Sequence, residues 1–275
     1  MFNLKLFDCI EINYMKIVNK IVLLLKFYKK KEVKKMKKNE KRMILILLVI
    51  LLIAIIIFAV NKNSNKNKEE VKKIIKNSTI TMWTLEVIII TFKLCTGDVR
   101  NLNNYVPLYY CSLLLYAGLL SSFAKNKLER VGNVFLATGG IVGGIVFMIL
   151  PTTSLPSYPM FHLVSIHSYI FHGTMVYLGL LINLTNYMEI EKNDIIYYAG
   201  LVGIVCILAY IVNKIFGSNL MFISQNFPGT PIEILYKYTG KAFTLVMSIG
   251  QMILPFYFIY GIKKLYGGKV LKSNT

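Results

Sequence analysis

The sequence predicts an all-α, polytopic membrane protein: seven transmembrane helices in one bundle with an outward-facing polar cavity. Three observations predict it. The 275 residues are 55% hydrophobic and 16% charged, with a mean hydropathy of +0.56, which excludes a disordered chain and disfavours an ordinary soluble domain. The apolar residues fall in runs long enough to cross a bilayer. The net charge of +19 is concentrated between those runs: residues 29–42 hold 9 basic residues and 61–78 hold 6, whereas 131–161 hold none. Charge that punctuates apolar segments marks membrane spans. The basic runs lack the interleaved aromatic residues of a nucleic-acid surface, so anionic lipid head groups, not nucleic acid, are their expected partners.

Taken in order, residues 1–42 interrupt short apolar runs with Lys5, Asp8, Glu11, Lys16, Lys20 and Lys26 before reaching KKKEVKKMKKNEKR. Nothing there can span; Ile17–Tyr28 reads as an amphipathic interfacial helix. Met43–Val60 is 18 uncharged residues, about 27 Å of helix. No small-residue cleavage site follows, so it reads as a span and not a removed signal. Six more spans follow: Ile80–Cys95, Tyr105–Ala124, Val131–Leu150, Phe161–Leu184, Ile195–Phe216 and Ala242–Tyr260. None alternates with period two, which argues against a β-barrel. Glu86 and Lys93 interrupt the second. The expected division is a basic N-terminal tail over 1–42, disordered or interfacial, a seven-helix domain over 43–262, and a basic C-terminal tail over 263–275.

Loop charge sets the orientation. Segments 61–78, 125–130, 185–194 and 261–275 carry 14 basic residues, and the alternate loops carry Arg100, Lys237 and Lys241. The first set is expected in the cytoplasm, with the C-terminus inside the cell membrane. The nine basic residues of 29–42 conflict with a first helix that starts outside. Six later spans agree with one another, so the tail is expected to be dispensable, with Met36 or Met43 as the native start.

Polar groups inside spans carry the functional information, because burying them in hydrocarbon costs several kcal/mol unless they face a cavity or partner. Glu86, His172 and Gln251 fall near mid-span. On the fifth span, at about 100° per residue, Ser165, Ser168, His172, Gly179 and Asn183 share a sector of roughly 60°. His167 lies about 140° away and reads as a side chain facing elsewhere, with no part in the site. His162 and His172 stand about 15 Å apart on the helix, so they form no metal cluster. The GGIVGG run at 139–144 holds two overlapping G-x-x-x-G pairs, which close helix packing explains. Cys9, Cys95, Cys111 and Cys206 show no C-x-x-C spacing, so neither a disulfide framework nor a zinc site is indicated and no cofactor is expected. Cys111, His162 and Asn213 cluster near the outer ends of their spans.

Three motifs extend this reading: VPLYYCS at 106–112, FHGT at 171–174 and NKIFGSNLMF at 213–222, followed by Pro228. Their order and spacing resemble the YwaF-like bacterial integral membrane proteins, a family similar to eukaryotic transmembrane acyltransferases of ether phospholipids. The likeness covers roughly residues 43–262. It points to Pro107, Cys111, His172, Gly173, Asn213, Gly217, Asn219, Met221 and Phe222. Tyr109 stands where the family usually has a His, and Leu108 where the eukaryotic relatives carry their catalytic Cys. The resemblance implies a membrane-embedded acyltransferase or lipid hydrolase with His172 as general base. Its nucleophile would be Cys111 or a hydroxyl of Ser112 or Ser168, with Asn213 or Asn219 positioning the carbonyl. Glu86, Tyr109, His162, Ser168, Asn213, Asn219 and Gln251 are the expected substrate-binding residues, and membrane lipids the expected partners. The alternative is a transporter or small-molecule receptor whose cavity is lined by Glu86, His172 and Gln251.

Overall fold

The computed structural model describes residues 38–96, 105–151 and 158–273, with side chains from Met43 to Leu265. Most of the expected basic tail and the loops 97–104 and 152–157 lie outside the described residues. All regular structure among the described residues is helical: α1 Lys38–Asn63, α2 Lys68–Cys95, α3 Leu113–Phe123, α4 Asn126–Phe135, a π-helical turn Leu136–Gly140, α5 Ile141–Ile149, α6 Leu163–Leu184, α7 Ile195–Phe216, α8 Pro231–Thr239 and α9 Phe243–Ser273. Six helical stretches are long and apolar enough to cross a membrane: Met43–Asn63, Lys68–Cys95, Asn126–Ile149, Leu163–Leu184, Lys192–Phe216 and Pro231–Leu265. The chain divides after Leu48 into two units. The described part of the first is the opening half of α1, and all packing below lies within Val49–Thr275.

Two boundaries differ from expectation for local reasons. The second span begins twelve residues before Ile80, because Asn67 and Glu70 form a reciprocal capping box (Glu70 N–H to Asn67 Oδ1 3.0 Å, Asn67 N–H to Glu70 Oε2 3.1 Å) that starts the helix in polar sequence. The last helix runs on to Ser273, through the segment set apart as a tail. The third crossing departs most. Tyr105–Ala124 is not one helix: only the 11 residues of α3 are helical, about 16 Å against a hydrocarbon core of about 30 Å. Residues 105–112 form turns held by Leu108 N–H to Val106 O (2.8 Å) and Leu114 N–H to Cys111 O (3.0 Å).

The helices alternate in direction. Lys72 on α2 pairs with Glu129 on α4 at 2.6 Å, and Arg130 pairs with Asp194 before α7 at 2.5 Å. These contacts gather the α1–α2, α3–α4 and α6–α7 connections at one end. Phe92 meets His162 at the other end of α2 and α6, with ring centroids 5.7 Å apart, and Tyr109 meets Phe222 at 5.2 Å. α7 shows how each helix divides its faces. Tyr198, Val202, Val205, Ala209 and Asn213 are buried, while Ile204, Ile207, Leu208, Ile211 and Ile215 are exposed, and an apolar stripe facing outward suits lipid and not water.

Glycine sets the closest approaches. A Cβ on Gly132 would overlap the backbone at Ala117 O and Ser121 N, so α3 and α4 touch backbone to backbone. The two glycine pairs of 139–144 serve different neighbours: Gly139 and Gly143 face the Tyr110 ring and hydroxyl, and Gly144 faces α6 at Val176 and the His172 carbonyl. Gly132→Ala should therefore cost about 2–4 kcal/mol by forcing two backbones apart. Gly200→Ala, with nothing within 4 Å of its added Cβ, should be neutral or stabilising by up to about 1 kcal/mol. Thermal unfolding of the two purified variants separates these outcomes.

Candidate functional site

The first and third sequence motifs meet at the non-helical half of the third crossing, where Tyr109 lies against Phe222. Such a segment is tolerated at membrane depth only where protein or a cavity satisfies its polar groups. α9 contributes through Pro255, which has no N–H and so leaves the carbonyl of Gln251, four residues earlier, without its helical partner. Tyr198 donates its hydroxyl proton to that carbonyl at 3.2 Å. With its proton so engaged, Tyr198 accepts from Tyr110, whose hydroxyl lies 2.6 Å away and also reaches the Gly139 carbonyl at 3.4 Å. The π-helical turn supplies that carbonyl, and the Ala137 carbonyl beside it accepts from Asn183 Nδ2 at 2.8 Å. Gln251 Nε2 in turn donates to Met221 O at 2.9 Å.

The third motif is a tightly self-bonded loop. Gly217 ends α7 in the left-handed conformation (φ 65°). Asn213 is buried and donates to Leu220 O (3.0 Å) and Ser224 Oγ (2.8 Å), while its Oδ1 accepts from Ser218 Oγ (2.8 Å) and Leu220 N–H (2.7 Å). That exhausts the amide. Asn219 Oδ1 accepts the N–H groups of Ser224 and Gln225, both at 3.0 Å. Both asparagines thus hold the loop, which keeps Met221 and Phe222 at positive φ (56° and 53°), a strained conformation for residues with side chains. Phe222 lies against Tyr109, and this contact joins the loop to the VPLYYC turn.

α6 holds the densest group of polar atoms. His172 is buried; its Nδ1 lies 2.7 Å from the Ser168 carbonyl and its ring stacks on Phe147 with centroids 3.7 Å apart. A carbonyl can only accept, so Nδ1 carries the proton and Nε2 is the basic nitrogen. His167, expected to take no part, faces α2: its Nε2 is 3.4 Å from Glu86 Oε2, at ion-pair distance but without hydrogen-bond alignment. Three of the six buried side-chain polar atoms without a hydrogen-bond partner among the described residues lie within five positions of α6, namely Ser165 Oγ, His167 Nε2 and Tyr169 Oη. His162 caps the helix, its Nδ1 accepting Val164 N–H at 3.3 Å, and Ser168 returns its hydroxyl to Val164 O at 2.9 Å.

Cys111 stands directly before Ser112, the N-cap residue of α3. Its thiol is partly buried, and Glu86 lies within electrostatic reach of it. Glu86 therefore lies at ion-pair distance from His167 and within electrostatic reach of Cys111, while Gln251 joins Tyr198 and Met221. Sequence reasoning set His167 outside the site and passed over Tyr110, Tyr198 and Pro255. For His167 the usable signal was the antiparallel register of α2 and α6, which pairs 92 with 162 and hence 86 with 167. Tyr198→Phe should cost about 1–3 kcal/mol by leaving the Gln251 carbonyl unpaired and the Tyr110 hydroxyl with only its 3.4 Å contact to Gly139 O. Adding Pro255→Ala supplies an N–H for the Gln251 carbonyl, so the double variant should recover part of that loss, measured as non-additive stability in a double-mutant cycle.

Comparison with known sequences places this arrangement in a family. Neither a curated protein nor a solved structure matches the chain. The sequence model of the TMEM164 family matches residues 18–260, beginning inside the N-terminal segment and covering all three motifs and all spans but the last residues of the final one. The protein is a multi-pass integral membrane protein, and it belongs to the TMEM164 family.

Proposed function

We propose that this protein is an intramembrane acyltransferase, or lipid hydrolase, in which the Cys111 thiol attacks a lipid ester. One observation supports the reading: a thiol sits at the non-helical turn of the third crossing, within electrostatic reach of Glu86, whose carboxylate lies 3.4 Å from His167. Acyl transfer needs a nucleophile, a proton acceptor and donors for the oxyanion. The N–H groups of Cys111 and Ser112, at the turn itself, would serve as the donors. His172 is held with Nε2 as proton acceptor by its Nδ1–H bond to Ser168 and its stack on Phe147. The likeness of the three motifs to YwaF-like proteins and to ether-phospholipid acyltransferases supports acyl transfer and the role of His172, while the position of the eukaryotic catalytic Cys is Leu108 here. Asn213 and Asn219 keep the supporting loop folded, Tyr109 closes the turn on that loop, and His162 and Ser168 shape α6.

The reaction proceeds in two balanced steps. His172 takes the thiol proton, the sulfur adds to the ester carbonyl of a donor lipid, and the C–O bond breaks to release the protonated lysolipid alcohol, leaving an acyl thioester. A hydroxyl of an acceptor lipid then attacks the thioester, giving up its proton as the C–S bond breaks and the thiol re-forms; water in that place gives hydrolysis. The basic end of the bundle, with the C-terminus, faces the cytoplasm, where its loops meet anionic head groups.

The full chain reconstituted in vesicles with a phospholipid carrying an isotope-labelled acyl chain and an unlabelled lysophospholipid tests this reading. Labelled product should form with the wild type. It should fall to background with Cys111→Ala, and by about 10²–10⁴-fold with His172→Gln, at nearly unchanged thermal stability. Undiminished transfer by Cys111→Ala would exclude the thiol mechanism.

A further inference from the structure

Glu86 stands between two other elements of the bundle. On α2 the buried positions Val71, Ile75, Thr79, Met82 and Ile89 recur at helical spacing, and Glu86, four residues after Met82 and three before Ile89, shares that inward stripe. Its Oε2 lies 3.4 Å from His167 Nε2 of α6, and the two side chains are only 16% and 11% exposed. The other neighbour is α3. Ser122 Oγ donates to Thr79 Oγ1 at 3.4 Å, and Trp83 Nε1 donates to Leu115 O at 3.1 Å with its ring edge-on to Tyr116. Residue numbers fall along α3 as they rise along α2, so the next turn of α2 brings Glu86 level with Ser112, beside Cys111. We propose that Glu86 and His167 are positioning residues for the Cys111 nucleophile: the proton they hold between them cancels the carboxylate charge and so lets the thiol ionise.

This role rests on Cys111 as the nucleophile, and charge decides its direction. The thiolate is the reactive form, and a second anion close by and away from water opposes its formation. With one proton between them, Glu86 and His167 carry no net charge, whether as carboxylate with imidazolium or as carboxyl with imidazole. With none they carry one negative charge. His167 Nε2 is buried and has no hydrogen-bond partner among the described residues, so Glu86 is the group left to share a proton with it. Five other titratable groups lie within electrostatic reach of Glu86, His167 or Cys111: Lys93 on α2, His172 on α6, Tyr116 on α3, and Tyr109 and Tyr110 in the turn. The tyrosines are neutral below about pH 10. Lys93 lies about 10 Å along the helix axis from Glu86 and is a background common to every variant compared. His172 is the acceptor of the thiol proton and stays in place in all of them.

The test follows the Cys111 proton itself, as the S–H infrared band that Cys111→Ser removes. The full-length protein in phosphatidylcholine vesicles is titrated from about pH 5 to about pH 10, the range in which thiols ionise. No lipid is turned over, so the outcome is independent of the acyl-transfer reading, which the labelled-lipid assay decides. Glu86→Gln should lower the pH at which the band is lost by about one unit, a gain of about ten-fold in thiolate at a fixed pH below that point. His167→Gln, which strands the carboxylate, should raise that pH by a similar amount. Once Glu86 is Gln, adding His167→Gln should change nothing further, because the charge it balanced is gone. A packing defect would move both single variants the same way. Each single variant has its own direction, so either is decisive if the other fails to fold. A band lost at an unchanged pH after either substitution, moved the same way by both, or kept to the top of the range in every chain overturns the proposal.

Discussion

Everything at the centre of this protein follows from one constraint: a peptide group at membrane depth has no water to bond, so each interruption of a helix must be answered by a neighbouring side chain or carbonyl. The chain interrupts its helices at three described places inside the bundle, at 105–112, at the π-helical turn 136–140 and at Pro255. They answer one another. The π turn offers Gly139 O, the proline frees Gln251 O, and the hydroxyls of Tyr110 and Tyr198 join the two in a single chain of donors. The irregular VPLYYC turn is thereby locked between α5, α7 and α9, and Cys111 is held at its end.

That arrangement explains why small residues and polar residues alternate here. Gly139 and Gly143 are needed to seat a tyrosine, and Gly144 to let α5 and α6 approach at the level of His172. The strained pair Met221 and Phe222 is held in place by two saturated asparagine networks, and strain persists only where the surroundings over-determine it. The same loop delivers Phe222 to Tyr109 and a carbonyl to Gln251. Packing and polar satisfaction are one problem in this bundle, because a shift of either neighbour would break hydrogen bonds that lipid cannot replace.

Much of the fold was legible in the sequence. Apolar runs and charged punctuation located every long span, since hydropathy reports burial in lipid directly. The third run misled because VPLYYC is as apolar as a helix; hydropathy measures transfer from water and not backbone hydrogen bonding. Ile80 misled in the other direction, since a capping box starts α2 in sequence too polar to read as a span. At the site, Glu86, His172 and Gln251 stood out as polar groups in apolar surroundings, and Cys111 entered through its motif. His167 did not, because a helical wheel ranks residues by their share in one stripe, while His167 faces a partner on another helix. Asn213 and Asn219 were visible as a motif, but only coordinates show that their amides are consumed by the loop.

The claim on which the functional account turns is that the thiol held at the broken crossing carries the acyl group. The most direct measurement is peptide mass spectrometry of the full-length protein, incubated in vesicles with an acyl-labelled phospholipid and quenched in acid without acceptor lipid. The account predicts one labelled acyl group on the peptide containing Cys111, removed by neutral hydroxylamine as a thioester is and missing from the Cys111→Ser variant or found there as a hydroxylamine-resistant ester. Label on another residue, or product formed with Cys111 unmodified at every time point, would contradict it.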